Sequence, residues 1–168
     1  WYPLSDRLSD VLTADQENAE AELLSRNIAL REGAILHEVL SRADSAADLE
    51  KVLKRMVLEG YLRKEEVEYF NERVIQVINH PELTVLLNGG GQVLNEKSII
   101  APSGQSYRPD KVLILGDKVT VIDYKFTQNE EQSHIRQVKG YKELLLGMGY
   151  QPVDTYLFYA LSGTLKAI

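Results

Sequence analysis

The sequence predicts an α/β fold, in which a mixed β-sheet is flanked by helices and preceded by a helical N-terminal part. Three observations lead to this prediction. Apolar residues recur every three or four positions over residues 14–87, the spacing of one face of a helix. Residues 92–126 instead have the pattern of three successive strands separated by turns. A helical segment and one more strand follow, and a meander continued in this way is typical of a mixed sheet.

The length indicates one domain over 1–168, with a helical part over about 14–87 and a sheet and helix over about 91–168. A chain of this size buries a core without disulfide bonds. It begins with Trp1 rather than with methionine. We therefore expect it to be a piece of a longer protein.

The composition limits the classes of function. With 25 acidic and 19 basic residues the net charge is -6, which argues against an autonomous nucleic-acid binder but leaves a local basic face possible. The chain has no cysteine, and this excludes disulfides, zinc–thiolate sites, thiol nucleophiles and cysteine-held iron–sulfur clusters. It also has no signal peptide and no 18-residue apolar span. We expect a soluble, cytoplasmic protein without a membrane partner.

The helical part follows residues 1–13, which lack periodicity and are expected to form an arm or connector. A helical pattern then covers about residues 14–42. Gly33 either divides this pattern into two helices or lies where another backbone comes close. The apolar spacing and the stop and start signals predict three more helical segments: Ala46–Glu59 ended by Gly60, Arg63–Asn79, and a short turn from Pro81 to about Leu86.

The glycine-rich segment Asn88–Gly91 separates the helical part from the strands and precedes a strand rather than a helix, so it is not a phosphate-binding loop. No Walker motif, Ser-His-Asp arrangement or dinucleotide fingerprint is present. The strand and turn patterns predict these elements: strands Gln92–Ala101, Ser106–Leu115, Lys118–Phe126 and Val153–Leu161, turns Pro102–Gly104 and Gly116–Asp117, and a helix Glu130–Met148.

The turn at Gly116–Asp117 determines the register of a hairpin. A two-residue loop there makes Leu115 face Lys118. Counting outward along both strands, Asp110 then faces Asp123. Directly opposed residues have Cβ atoms about 4.5–5.5 Å apart, and like charges at that separation repel each other.

Alternation along the strand also puts Lys125 on the same face as Asp123. Two carboxylates and a lysine at the end of an apolar hairpin pack poorly, but they suit a divalent cation such as Mg²⁺ or Mn²⁺. Lys125 would then act on a water or on the substrate. The alternative is that both carboxylates lie in solvent and Lys125 pairs with one of them. The register and the apolar run before Asp123 favour the metal site.

Two further residues have weaker claims when taken alone. Glu96 would complete a ligand set if its strand neighbours the hairpin, but an exposed glutamate beside Lys97 is the simpler explanation. His37 shares a helix face with Gly33 at the edge of an apolar stripe. A histidine in such a place is more often a hydrogen-bonded core residue than a ligand.

Gln137 and Tyr141 lie four apart and share one face of the last helix. They would contact a phosphate or a base, or else Tyr141 belongs to the core and Gln137 borders it. Arg136, Lys139 and Lys142 make this helix locally basic, as an acidic protein requires where it meets a polyanion. A solvated charged face is the commoner explanation for such residues.

Taken in order, these segments resemble the nuclease domain of RecB-type helicase–nucleases (exonuclease V), within the PD-(D/E)XK nuclease superfamily. The resemblance covers most of the chain, and its specificity comes from the order of the motifs rather than from any one of them. The matching segments are Gly33–Leu40, Glu96, Tyr107–Val112, Val121–Lys125 and Gln137–Tyr141.

The resemblance implies a restriction-endonuclease-like core and a metal-dependent DNase of exonuclease type. It implies that His37, Asp110, Asp123 and the main-chain carbonyl of Tyr124 bind Mg²⁺, with Mn²⁺ as an alternative. Lys125 would position or activate the attacking water. The remaining implied roles are assistance to metal binding by Glu96, and organisation of the site or contact with DNA by Gln137 and Tyr141.

The resemblance also implies partners. Relatives with an iron–sulfur cluster use four cysteines, so this chain resembles the cluster-free kind. We expect it to come from the C-terminal end of a helicase–nuclease in DNA repair and recombination, with the motor upstream and other subunits as partners. Two alternatives are a catalytically inactive nuclease-like domain that guides DNA or binds proteins, and a phage-type exonuclease without a motor.

Overall fold

The computed structural model describes residues 5–43, 45–127 and 130–168, with side chains from residue 19 onward. The chain divides into two compact units, residues 1–34 and 35–168. A single helix, α1 (Ser5–Arg42), begins in the first unit and ends in the second. It is continuous through Gly33, so this glycine does not divide it.

The first unit consists of helix over its described residues. The arm expected over residues 1–13 is wrong for residues 5–13, which are helical, while residues 1–4 lie outside the described part. Once a helix exists, each further residue adds one backbone hydrogen bond, so a segment without an apolar stripe still extends it. Leu23, Leu24 and Ile28 of the apolar pattern are exposed.

The second unit contains the remaining helices, and their positions agree with the prediction. Gly60, with a φ of 78°, follows the end of α2 as expected. Pro81 is the first residue of α4. The helices and the 3-10 turn that precedes α3 are α2 (Ala46–Leu58), the turn Lys64–Glu66, α3 (Val67–Ile78), α4 (Pro81–Leu87) and α5 (Gln132–Gly147).

The strands form a mixed five-stranded sheet and a separate two-stranded one. The strand order in the large sheet is β1–β4–β5–β6–β7, with β5 and β6 parallel and the other neighbours antiparallel. The small sheet pairs β2 with β3. The strands are β1 (Gln92–Asn95), β2 (Ile99–Ile100), β3 (Ser106–Tyr107), β4 (Lys111–Leu115), β5 (Lys118–Lys125), β6 (Val153–Tyr159) and β7 (Thr164–Ala167).

The strand predictions differ from the structure in two ways. The strands expected over Gln92–Ala101 and Ser106–Leu115 are each broken in two. The first break follows the left-handed φ of 46° at Glu96, and the second contains Pro109, which has no N–H to donate to a ladder. The second difference is β7, which the sequence pattern did not predict and which pairs with β6.

The two faces of the sheet carry separate cores. Ile122 and Tyr124 of β5 point to the face covered by α2, α3, α4 and the last turns of α1. Val119 and Val121 point to the other face, where α5 packs. The predicted α/β fold, with a mixed sheet flanked by helices and a helical N-terminal part, is therefore confirmed. Asp123 continues the series Val119–Val121, so it faces α5.

Within the part of the chain that is described, no helix is both long and apolar enough to cross a membrane.

Candidate functional site

The hairpin of β4 and β5 has the register that its turn predicts. Leu115 pairs with Lys118, and the ladder continues to the pair of Lys111 and Ile122. Asp110 and Asp123 follow as the next residues outward. The two-residue turn therefore brings both carboxylates to the same end of the hairpin.

Asp123 lies at the centre of this end and is almost completely buried, with 2% of its surface exposed. Its Oδ2 atom lies 2.7 Å from Nζ of Lys125, which has a half-buried side chain on the same face. This contact with the ammonium lowers the pKa of Asp123, but it does not cancel the cost of burying the carboxylate.

Asp110 is held by contacts on three sides. Its Oδ2 accepts a hydrogen bond from the main-chain N–H of Tyr124 at 2.7 Å. Its Oδ1 lies 3.3 Å from Nδ1 of His37. Its main-chain carbonyl accepts a hydrogen bond from the N–H of Glu96 at 2.8 Å. The carboxylate thus has a defined position without being fully buried.

His37 connects α1 to the hairpin. Besides its contact with Asp110, its ring meets the ring of Phe126 edge-on, with centroids 5.0 Å apart. The side chain is 31% exposed, so the imidazole is not enclosed in the core. His37 therefore lies at the edge of the core, with Asp110 as its polar partner and Phe126 as its apolar one.

The pKa of Asp123 is raised from 3.8 to about 6. Burial is the largest cause, and the negative charge of Asp110 is the next. The positive charges of Lys125 and His37 lower the pKa again, but they do not compensate fully. A buried carboxyl with a raised pKa beside a second carboxylate is a pattern that occurs at functional sites and also in structural ion-pair networks.

Tyr124 contributes to the site through its main chain only. Its ring is buried on the opposite face of the sheet, within the core formed with the helices. Burial and the charge of Asp110 both raise the pKa of its phenol. The N–H between Asp123 and Lys125 is the group that binds Asp110.

A chain of hydrogen bonds leads from Lys125 into α5. Nζ of Lys125 donates to Oε1 of Gln137 at 2.8 Å, and Nε2 of Gln137 donates to the hydroxyl of Tyr141 at 2.8 Å. The hydroxyl in turn lies 3.4 Å from the carbonyl oxygen of Arg108. Tyr141 is 2% exposed and belongs to the core, and Gln137 borders it, as the second of the two alternatives expected.

Lys125 therefore has two partners: Asp123 on its own strand and Gln137 on α5. Burial of Tyr141 and the nearby charge of Asp123 raise the pKa of its phenol to about 12. The phenol keeps its proton at neutral pH, and its oxygen accepts the hydrogen bond from Gln137.

Glu96 follows β1 in a left-handed conformation, with a φ of 46°. Its side chain is 20% exposed, and its Oε2 lies 3.6 Å from Nη1 of Arg108. Because its N–H binds the carbonyl of Asp110, Glu96 sits beside the hairpin end. The simple reading of Glu96 as an exposed residue beside Lys97 is therefore wrong.

Two residues near the site, Arg108 and His134, were not among the candidate site residues that the sequence predicted. Arg108 has an exposed guanidinium, and its only signal was its place two residues before Asp110. His134 precedes Gln137 by three positions on α5, and its Nδ1 lies 3.4 Å from the hydroxyl of Tyr159. Burial, together with the positive charge of Lys125, lowers the pKa of His134.

The donors at this site suit a hard divalent cation. Two carboxylates repel each other, and the buried one, Asp123, has the ammonium of Lys125 beside its Oδ2 atom. The described residues contain no ready group of three or more His, Asp or Glu side chains arranged around a metal position. His37 instead contacts Asp110, and Lys125 contacts Asp123.

Comparison of the chain with protein-family models and with curated proteins gives no match.

Proposed function

We propose that this chain is a magnesium-dependent nuclease that hydrolyses phosphodiester bonds in DNA. The observation that carries the proposal is Asp123, a buried carboxylate with a raised pKa, beside Asp110 and in contact with Lys125. A bound cation would offset the repulsion between the carboxylates, in addition to the contact that Asp123 makes with Lys125. The order of motifs that resembles RecB-type nuclease domains supports DNA as the substrate.

Asp110, Asp123 and His37 would hold the metal, with the carbonyl of Tyr124 as the further ligand that the resemblance implies. Mn²⁺ would fit the same oxygen and imidazole donors. Bound there, Mg²⁺ would supply a Lewis acid that offsets charge on the phosphate oxygens and makes water a stronger nucleophile at neutral pH.

The side chains around Lys125 have separate tasks in this proposal. Hydrolysis consumes one water, whose oxygen forms a bond to phosphorus while an ester P–O bond breaks. Lys125 places a positive charge next to the reacting groups, where negative charge builds up. Gln137 accepts a hydrogen bond from Lys125, and Tyr141 supports Gln137. The support keeps the ammonium in place between the sheet and α5.

The proposal makes the chain one module of a cytoplasmic helicase–nuclease that degrades DNA from its ends. Its net charge of -6 fits this role, because a motor would deliver the strand to a domain that attracts DNA poorly by itself.

The test is cleavage of linear single-stranded DNA with Mg²⁺, compared with EDTA. We expect Asp123→Asn and Lys125→Met to reduce the rate at least about a hundredfold, the usual loss when one group that stabilises a transition state is removed. Asp117→Asn is the matched control, since Asp117 lies in the turn at the other end of the same hairpin. Full activity of Asp123→Asn or of Lys125→Met would contradict the proposal that these residues catalyse cleavage.

A specific observation favours the second candidate, a nuclease-like domain without catalysis. Two of the proposed ligands, His37 and Asp110, contact each other, and the ammonium of Lys125 lies against the third, Asp123, so positively charged or polar side chains of the chain itself are partners of both carboxylates. Calorimetric titration with Mg²⁺ or Mn²⁺ separates the two. The nuclease must bind a cation in a way that depends on Asp110 and Asp123, whereas the inactive domain need not bind one.

A further inference from the structure

We propose that Arg108 is a phosphate-binding residue of this site, which takes a backbone phosphate of the DNA strand and thereby releases the carboxylate of Glu96. The inference rests on the proposed function, because it names the side chain that holds the substrate. The acidic cluster beside it consists of Glu96, Asp110 and Asp123.

The backbone around Arg108 is held by its neighbours, while its side chain is largely exposed. The carbonyl of Arg108 lies 3.4 Å from the hydroxyl of Tyr141, Pro109 is buried, and the carboxylate of Asp110 accepts a hydrogen bond from Tyr124. In contrast, the side chain of Arg108 is 63% exposed. The guanidinium is thus mounted on a rigid segment at the mouth of the site.

The pair of Arg108 and Glu96 is a loose contact. The two groups are 3.6 Å apart and the side chain of Arg108 is largely exposed, so solvent screens their attraction. The position of Glu96 does not depend on this pair, because its main-chain N–H is bound to the carbonyl of Asp110. The guanidinium can therefore exchange Glu96 for a stronger partner without disturbing the backbone.

The charges around the site require a cation that can reach the substrate. The acidic cluster repels a phosphate backbone, and Lys125 is already engaged by Asp123 and Gln137. A guanidinium binds a phosphate through two parallel hydrogen bonds, which is a stronger contact than its present one to Glu96. When Arg108 turns to the phosphate, Glu96 is released to act with the other carboxylates.

The first arm of the test is binding without turnover. A fluorescein-labelled single-stranded oligonucleotide is titrated in EDTA over a range of salt concentrations, and anisotropy is measured. We expect Arg108→Gln to weaken binding about tenfold and to lower the salt slope by about 0.7, the value for one lost phosphate contact on a single strand. Arg108→Lys restores part of the affinity.

Two variants make the result specific. Glu96→Gln removes the carboxylate that competes with the phosphate, so we expect it to tighten binding in EDTA, an effect that a merely structural pair would not produce. Arg55→Gln is the matched control. Arg55 is also exposed and also pairs with a glutamate, Glu59, on α2 and its C-terminal cap, and its loss leaves binding unchanged.

The second arm is cleavage with Mg²⁺. We expect Arg108→Gln to raise KM about tenfold with kcat within about twofold, because the lost contact is made to substrate and transition state alike. A wild-type KM and salt slope in Arg108→Gln would overturn the inference and leave the nuclease standing. Binding that depends on Arg108 without any cleavage would uphold the inference while the proposed nuclease fails. A wild-type protein that neither binds nor cleaves overturns both.

Discussion

Asp123 is the residue at which burial and like charge act together. Burial and the carboxylate of Asp110 raise its pKa to about 6, so at neutral pH the folded protein carries an ionised group in an unfavourable place. Lys125 and His37 offset only part of this penalty. The penalty identifies the side chain that gains most from a bound cation, and it also has a measurable effect on stability.

The first prediction concerns pH. A carboxyl whose pKa is higher in the folded state makes that state bind more protons, so its contribution to the free energy of unfolding falls as pH rises from about 4 to about 6. Asp123→Asn removes this effect. We expect the variant to be about 1–3 kcal/mol more stable at pH 7 in the absence of metal, and its stability to vary less between pH 4 and 6. Urea unfolding at several pH values measures both, and a variant no more stable than the wild type at pH 7 contradicts the prediction.

The second prediction concerns the backbone of Glu96. Glycine adopts a φ of 46° without strain, whereas glutamine does not. Glu96→Gly and Glu96→Gln both remove the charge, but only the first relieves the conformation. We expect the glycine variant to be about 1 kcal/mol more stable than the glutamine variant, with less DNA cleavage than the wild type in both. Equal thermal stability of the two variants would show that the backbone at Glu96 is unstrained.

At the scale of elements, the site depends on how β1 and α5 are placed against the hairpin. The pairing of β1 with β4 brings Glu96 to Asp110, and the packing of α5 brings Gln137 to Lys125. Neither element supplies a proposed metal ligand. Both elements determine which groups surround the carboxylates. A change in how β1 or α5 packs against the hairpin would therefore move the neighbours of Asp110 and Lys125.

The third prediction tests the docking of β1. Gly91 precedes this strand with a φ of 98°, and a Cβ atom there would lie 2.3 Å from the carbonyl oxygen of Ile114. We expect Gly91→Ala to destabilise the protein by roughly 2–4 kcal/mol, because both strain and overlap oppose it. Gly90→Ala is the matched control: its φ of 83° gives strain alone, with no neighbour within 4 Å and a loss of about 1 kcal/mol. Equal losses measured by chemical denaturation would contradict the prediction.

At the scale of the whole molecule, the unit formed by residues 35–168 brings together segments from its beginning, middle and end. His37 comes from α1, the carboxylates from the hairpin, and Gln137 from α5. A cation that binds these groups in the folded state only must shift the folding equilibrium of the unit as a whole.

The fourth prediction follows from this coupling. We expect Mg²⁺ or Mn²⁺ to raise the melting temperature of the wild-type protein at pH 7.5, with about 2.7 kcal/mol of stabilisation at a concentration one hundred times the dissociation constant. The increase should disappear in Asp110→Asn and in Asp123→Asn, and persist in Asp117→Asn. A cation-dependent increase of the same size in all four proteins would indicate binding elsewhere on the surface.

The type of nearly every element and the register of the central hairpin could be predicted from the sequence. Both follow from local rules: apolar spacing selects helix or strand, and a two-residue turn fixes which residues oppose each other. The juxtaposition of Asp110 and Asp123 at one end of the hairpin therefore needed no knowledge of the rest of the fold. Lys125 followed from strand alternation.

The surroundings of those carboxylates could not be predicted in the same way, because they depend on packing between distant segments. The contact of His37 with Asp110, the turn of the chain at Glu96, the support of Lys125 by Gln137 and the position of Arg108 all join residues from different elements. Strand β7 also depends on a contact between elements, because residues 164–167 form a strand by pairing with β6. Local periodicity carries no information about such contacts, because they depend on which surfaces pack together and on the burial that results.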